Sequence, residues 1–164
     1  MLVYLGGPID LAGNKDYRTN LTKALHREGI NVFDPKDAFK MIKLDDHMDA
    51  RRLVEINKQA MLNCTVPVFV MDANVLSVGT PIEIYIAYEA NKRSLMVWLS
   101  DNDKPIPAYI SALVRESDII CSNSLDGDTI DQIVNKLKSM KGLETAYQPP
   151  NKRKNEKKMV KMKK

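Results

Sequence analysis

Short apolar runs alternate with longer stretches of helical period along the whole chain. Leu2 to Leu5 predicts a strand ending in Gly6-Gly7-Pro8, and Lys15 to Glu28 predicts an amphipathic helix with Leu21, Ala24 and Leu25 on one face. Gly29 is placed to close that helix, because glycine accepts the left-handed backbone of a C′ position. Ile30 to Phe33 predicts a second strand, stopped by Asp34-Pro35. Lys36 to Asp49 is polar without a strong period, long enough for a substrate-facing loop or a short helix. Ala50 to Leu62 reads as a helix with Leu53, Ile56, Ala60 and Met61 as its apolar stripe. Val66 to Met71 is apolar on both faces, as a central strand of a parallel sheet should be, although Pro67 lacks an amide donor and predicts that pairing begins only after it. Then follow a helix over Pro81 to Lys92, a strand over Leu95 to Leu99, a short helix over Ile106 to Val114 and a strand over Asp118 to Cys121. Thr129 to Met140 closes the series, with Ile130, Ile133, Val134 and Leu137 inward and Gly142 at its end.

Strands that alternate with helices, without hairpin turn signals, predict a three-layer α/β domain of Rossmann/flavodoxin-like type with a five-stranded parallel sheet. Ligands of such sheets bind beyond the carboxyl ends of the strands, near the point where strand order reverses. That rule singles out the loops Gly6 to Gly13, Asp34 to Asp49, Asp72 to Thr80 and Ser100 to Pro107.

Charge sharpens the domain limits. Of the 25 Lys+Arg and 21 Asp+Glu that give the 164 residues a net charge of +4, residues 151 to 164 hold 8 and 1, so residues 1 to 150 hold 17 and 20. The body is mildly acidic and the basic character belongs to a tail, which argues against a nucleic-acid-binding body. The chain therefore divides into one domain over 1 to 146 and a Lys-rich tail over 147 to 164, expected to be disordered and to attract nucleic acid only weakly. At 44% hydrophobic and 28% charged the composition is ordinary for a soluble globular protein. No apolar run approaches the ~20 residues of a membrane span, and no basic leader precedes Leu2. Cys64 and Cys121 lack metal or disulfide spacing and read as buried free thiols, so a cytoplasmic location is expected.

Two loops carry chemistry. Gly6-Gly7-Pro8-Ile9-Asp10 lets backbone approach a ligand, though it is neither a dinucleotide nor a Walker A fingerprint, and a plain tight turn explains it equally well. Ser77-Val78-Gly79-Thr80-Pro81-Ile82-Glu83 spells a capping box, with Thr80 as N-cap, Pro81 at N1 and Glu83 at N3. The same spacing puts Glu83 in a first helical turn at the ligand-binding end of the sheet, where the macrodipole favours the ionised carboxylate that attack at an anomeric carbon requires. His26 reads as a surface cation, and His47 with Asp45, Asp46 and Asp49 reads as a solvated loop rather than a metal site. No metal or cofactor is expected.

Tyr4-Leu5-Gly6-Gly7-Pro8-Ile9, Phe33-Asp34-Pro35 and Ser77 to Glu83, followed by Ala87 and Asn91-Lys92, resemble the nucleoside 2-deoxyribosyltransferase family, which includes the 2′-deoxynucleoside 5′-monophosphate N-glycosidases. The resemblance runs from Tyr4 to about Arg115. It implies Glu83 as a nucleophile forming a covalent deoxyribosyl intermediate and Tyr4 as the tyrosine that orients it. It also implies substrate contacts from Gly6, Gly7, Pro8, Ile9, Asp10, Ser77, Gly79 and Thr80. Where the family carries an aspartate that helps protonate the leaving base, this chain has Asn57, which can hydrogen-bond a base but not act as an acid. Glu55 or a neighbouring Asp substitutes, or the base departs with less help. Ser77 matches a phosphate-binding serine of the hydrolases, and Ile110 to Arg115 resembles the element whose serine, here Ser111, reaches a neighbouring subunit's phosphate. Asp10 stands where hydrolases of the human type place an arginine, so transfer to a free base and hydrolysis both remain open. The implied partners are a nucleoside or nucleotide, a free base and further copies of the chain in a homo-oligomer. Two rivals keep Glu83 as a helix cap only: a non-catalytic nucleotide-binding or sensor module on the same fold, and an adaptor recruited to nucleic acid by its tail.

Overall fold

The computed structural model describes residues 1–11, 14–41, 47–102 and 104–142, without the side chains of 39–41 and 47–50. The expectations for Asp45 and Asp46 and for the tail over 147–164 lie outside the described residues, whereas the backbone of His47 and Asp49 is helical and not the loop expected. Elements follow in the order β1 (Leu2–Gly6), α1 (Tyr17–Arg27), β2 (Asn31–Phe33), α2 (Pro35–Met41), α3 (His47–Asn63), β3 (Val66–Asp72), α4 (Gly79–Glu89), β4 (Leu95–Leu99), α5 (Ala108–Ser111), a 3-10 turn (Glu116–Asp118), β5 (Ile119–Ser122) and α6 (Gly127–Met140). The five strands form one all-parallel sheet in the order β2-β1-β3-β4-β5, the three-layer α/β arrangement expected. Strand order reverses between β1 and β3, so the favoured ligand position lies over those two carboxyl ends.

Alternation along the strands divides the core. Val3, Leu5, Val66, Val68, Val70, Leu95, Val97 and Leu99 pack against Leu21 and Leu25 of α1 and Ile133, Val134 and Leu137 of α6. Tyr4, Phe69 and Met96 point the other way, onto Met61 of α3, Ile84 and Ala87 of α4 and Ile110 of α5. Gly29 and Gly142 adopt positive φ (69° and 87°), as helix-closing glycines should.

Two expectations need correction. Pairing of β3 with β1 includes Pro67, opposite Tyr4, because Thr65 N–H donates to the Leu2 carbonyl upstream and the register continues to Gly6 and Phe69 beyond it. A missing donor removes one rung and does not stop a ladder held on both sides. Cys64 is buried, its thiol donating to the Met61 carbonyl and pushed up to about 11 by burial, but Cys121 is exposed. Its strand, β5, is an edge strand that buries Ile120 and turns Cys121 outward. Among the described residues, no helix is long and apolar enough to cross a membrane.

Candidate active site

β1 carries a tyrosine and a glycine loop to the same point. Tyr4 is fully buried and stacks on Phe33 with centroids 5.9 Å apart, yet its hydroxyl donates to Glu83 Oε1 at 2.6 Å. Gly6 makes room for that carboxylate: a Cβ there would lie 2.8 Å from Glu83 Oε2 and 2.5 Å from the Phe69 ring. Gly7 has φ 149°, and its Cβ would meet the Val70 carbonyl oxygen at 2.8 Å and the Tyr17 hydroxyl at 2.9 Å. Both glycines are therefore steric requirements of the packing around Glu83, Phe69, Val70 and Tyr17.

α4 presents Glu83 differently from the capping box expected. The helix starts at Gly79, after Val78, which offers no side-chain acceptor. Ser77 takes the role given to Thr80: its Oγ lies 3.4 Å from the Thr80 amide and 2.7 Å from Thr80 Oγ1. Glu83 is consequently the fifth helical residue, beyond the first turn, where the macrodipole has faded. Its carboxylate reaches 79 positions back to Tyr4 instead of capping its own helix. Burial pushes this carboxyl above the usual carboxylate range, while the Tyr4 hydrogen bond and the charge of Arg18 pull it back. The ionisation expected from the helix dipole is thus replaced by a balance between desolvation and two specific partners. The Tyr4 hydroxyl is itself pushed far up, by burial and by Glu83, and stays a proton donor.

Arg18 is the functional neighbour that the sequence pattern missed. Only 3% exposed, it donates from Nε to the Pro8 carbonyl at 3.1 Å, from one terminal nitrogen to the Leu5 carbonyl at 3.0 Å and Asp34 Oδ1 at 2.6 Å, and from the other to the Gly7 carbonyl at 2.5 Å. Tyr17 OH also donates to the Pro8 carbonyl. A signal was present: Arg18 precedes Leu21 and Leu25 by three and seven residues on the inward stripe of α1, and an arginine on an apolar stripe needs partners.

A cleft of about 610 Å³, within the size range of small-molecule sites, opens over β1 and β3. Gly6, Gly7, Pro8, Ile9, Asp10, Asn57, Ser77, Gly79, Thr80 and Glu83 all line it, with Tyr4 behind Glu83. Leu53, Met61 and Ile86 supply apolar wall, and Lys36 and Lys58, also missed, add positive charge to the lining. Asn57 Oδ1 is buried without a hydrogen-bond partner among the described residues, an acceptor that an incoming N–H can satisfy. Ser111 is not brought to the cleft: it is exposed on α5, and its hydroxyl donates to the Ala108 carbonyl at 3.0 Å. A half-buried, oriented carboxylate at the wall of a cleft of small-molecule size has the attributes of a nucleophile for an electron-poor carbon.

Solved structures similar to this one include two 2-deoxyribosyltransferases and a CMP N-glycosidase. A 2-deoxyribosyltransferase from Bacillus psychrosaccharolyticus aligns at 13% identity and TM-score 0.61, over 79% of this chain and 96% of its own. A CMP N-glycosidase from Clostridium botulinum aligns at 17% and 0.57, over 84% and 99%. A 2-deoxyribosyltransferase from Leishmania mexicana aligns at 14% and 0.55, over 80% and 95%. At these identities the likeness is one of fold. No curated protein matches the sequence. The model of the family described as nucleoside 2-deoxyribosyltransferase like matches residues 1–101, which hold the tyrosine, the glycine loop, Asn57 and Glu83. The chain belongs to the nucleoside 2-deoxyribosyltransferase-like family.

Proposed function

We propose that the protein opens the N-glycosidic bond of a 2′-deoxynucleoside or its 5′-monophosphate through a covalent intermediate on Glu83. The observation that carries this reading is the 2.6 Å hydrogen bond from the buried Tyr4 to Glu83 at the wall of the cleft. A Glu83 oxygen attacks C1′ as the C1′–N bond breaks, and the base leaves with the bonding electron pair and takes up a proton. A second base nitrogen, or water, then attacks C1′ from the other side, releases Glu83 and loses a proton, so the configuration at C1′ is retained overall. Lack of a 2′-hydroxyl makes the oxocarbenium-like transition state less costly, which favours deoxyribose.

The site residues take roles on this reading. Tyr4 holds Glu83, Gly6 and Gly7 let the sugar approach the backbone, and Asn57 hydrogen-bonds the base without protonating it. Ser77 near the start of α4, with Lys36 and Lys58, favours a 5′-phosphate, whereas Asp10 opposes one. Transfer and hydrolysis accordingly stay joined in the proposal.

A homo-oligomer is part of the same reading. α4 and the segment before it carry exposed apolar side chains: Leu76, Val78 and Ile82, 91%, 70% and 55% exposed along the cleft, and Tyr85 beyond it. Exposed apolar side chains grouped in this way expect cover. A second copy laid there is the proposed route by which Ser111 reaches a neighbour's cleft.

The test is incubation with each deoxynucleoside and deoxynucleoside monophosphate, with CMP as a ribose control, with and without a second free base, following base release and exchange. Turnover in wild type that survives in Glu83→Ala contradicts the assignment. Calorimetric nucleotide binding without turnover over long incubation supports a non-catalytic binding module instead.

A further inference from the structure

The guanidinium of Arg18 joins three things that the proposed chemistry needs held still. Its acceptors are the carbonyls of Leu5, Gly7 and Pro8, which flank the Gly6 position against which Glu83 Oε2 lies, and the carboxylate of Asp34 at the end of β2. Asp34 is fixed in turn, since Oδ1 also accepts from the Lys36 amide at 2.9 Å. Both side chains are nearly buried, at 4% and 11% exposure, so neither charge is free to leave the other. Lysine could supply the charge but not four bonds in a planar fan; that set of acceptors requires a guanidinium.

Arg18 faces the cleft as well as the loop. The charged and titratable groups around Glu83 are Tyr4 from β1, Arg18 from α1, Asp34 behind Arg18, Lys36 from α2, Lys58 from α3 and Asp10 from the first loop. Tyr4 and Arg18 are the two that draw its carboxyl down against burial. Tyr4 does so through a bond, Arg18 through charge alone, and a buried charge acts with little screening.

Resting on Glu83 as the proposed nucleophile, we infer that Arg18, oriented by Asp34, is the positioning residue of that nucleophile. It clamps the Leu5–Pro8 backbone under the carboxylate and gives the site a fixed positive charge, without contacting the reacting atoms. The role differs from substrate binding: loss of Arg18 leaves substrate recognition in place and misplaces and partly protonates Glu83.

The experiment follows the Glu83 carboxyl carbon by NMR titration in the free protein, alongside kcat and KM for a turned-over deoxynucleoside, in wild type, Arg18→Gln, Arg18→Lys and Asp34→Asn. In Arg18→Gln the Glu83 midpoint moves to higher pH, the acid limb of kcat/KM moves with it, and kcat falls by on the order of 100-fold with KM within a few-fold. Arg18→Lys recovers most of the midpoint but little of kcat. Asp34→Asn removes a negative charge and moves the midpoint down while lowering kcat, a sign that general loosening does not produce, and it serves alone where Arg18→Gln fails to fold. A midpoint unmoved in these variants, or a rise in KM alone, overturns the inference. The titration needs no turnover: an inactive wild type whose Glu83 still answers to Arg18 rejects the glycosidic reading and keeps the coupling, and an active one whose Glu83 ignores Arg18 does the reverse.

Discussion

The half-buried Glu83 and the fully buried Asp118 are carboxylates at opposite ends of the same sheet, and they are solvated by the protein in opposite ways. Asp118, 0% exposed just before β5, receives two hydrogen bonds of 2.8 Å from the Arg93 guanidinium and has Lys136 of α6 at 3.5 Å. Burial alone would raise it, but these partners hold it below the usual carboxylate range. Glu83, at the carboxyl end, is given one phenolic hydroxyl and a more distant Arg18, and burial wins. The first is a neutralised strut. The second is an under-compensated base facing a cleft, which is the pattern expected where a carboxylate is kept for chemistry.

The largest effect that sharpens this contrast is on Glu83. Glu83→Gln should lower base release by on the order of 10³-fold or more while leaving the melting temperature near neutral pH unchanged or raised, because it removes a partly desolvated carboxylate. Asp118→Asn should do the opposite: rates per folded molecule hold, and stability drops by about 2 kcal/mol, since the Arg93 and Lys136 charges lose this carboxylate. Calorimetric melts and active-site-normalised rates separate the two, and a rate loss in Asp118→Asn at full folding would break the comparison.

Tyr4→Phe comes next, with a loss of roughly 10- to 100-fold in kcat. Its acid limb should shift to higher pH, because the hydrogen bond that lowers the Glu83 pKa is gone. The two carboxylates should also differ in how stability follows pH. The folded-state pKa of Asp118 lies below its unfolded value of about 3.9, so its contribution is full above that pH and disappears as pH falls through the folded value. The folded-state pKa of Glu83 lies above its unfolded value of about 4.3, so stability declines as pH rises from there through the folded value and is flat beyond. Melts between pH 3 and 7 should lose the first slope in Asp118→Asn and the second in Glu83→Gln. The smallest effect is Asn57→Ala, a several-fold rise in KM with kcat nearly unchanged, as for a residue that only hydrogen-bonds the base.

The alternation of apolar runs and helical periods was enough to place all five strands, because a parallel sheet buried on both faces leaves near-continuous apolar runs. Helix starts were less legible. α4 begins at Gly79, before the capping box that Thr80 and Glu83 spell, because Ser77 stands at the Thr80 amide and Tyr4 draws Glu83 away; that competition is tertiary and invisible in local spacing. Most of the cleft was legible from two loops and one helix, since Gly6 to Asp10, Asn57, Ser77 to Thr80, Ile82 and Glu83 all reach it. Arg18 was not, because its position depends on carbonyls of another segment, and Ser111, assigned to a neighbouring subunit's site, lies away from the cleft of its own chain.

The central claim is a covalent bond between Glu83 and C1′. Rapid acid quench of wild type with a turned-over deoxynucleoside and no acceptor base, followed by intact-mass and peptide mass spectrometry, reads it directly. Wild type should gain one deoxyribosyl group mapping to the peptide with Glu83, and Glu83→Gln should gain none. Base release at full rate with no adduct, or an adduct on another residue, would contradict it.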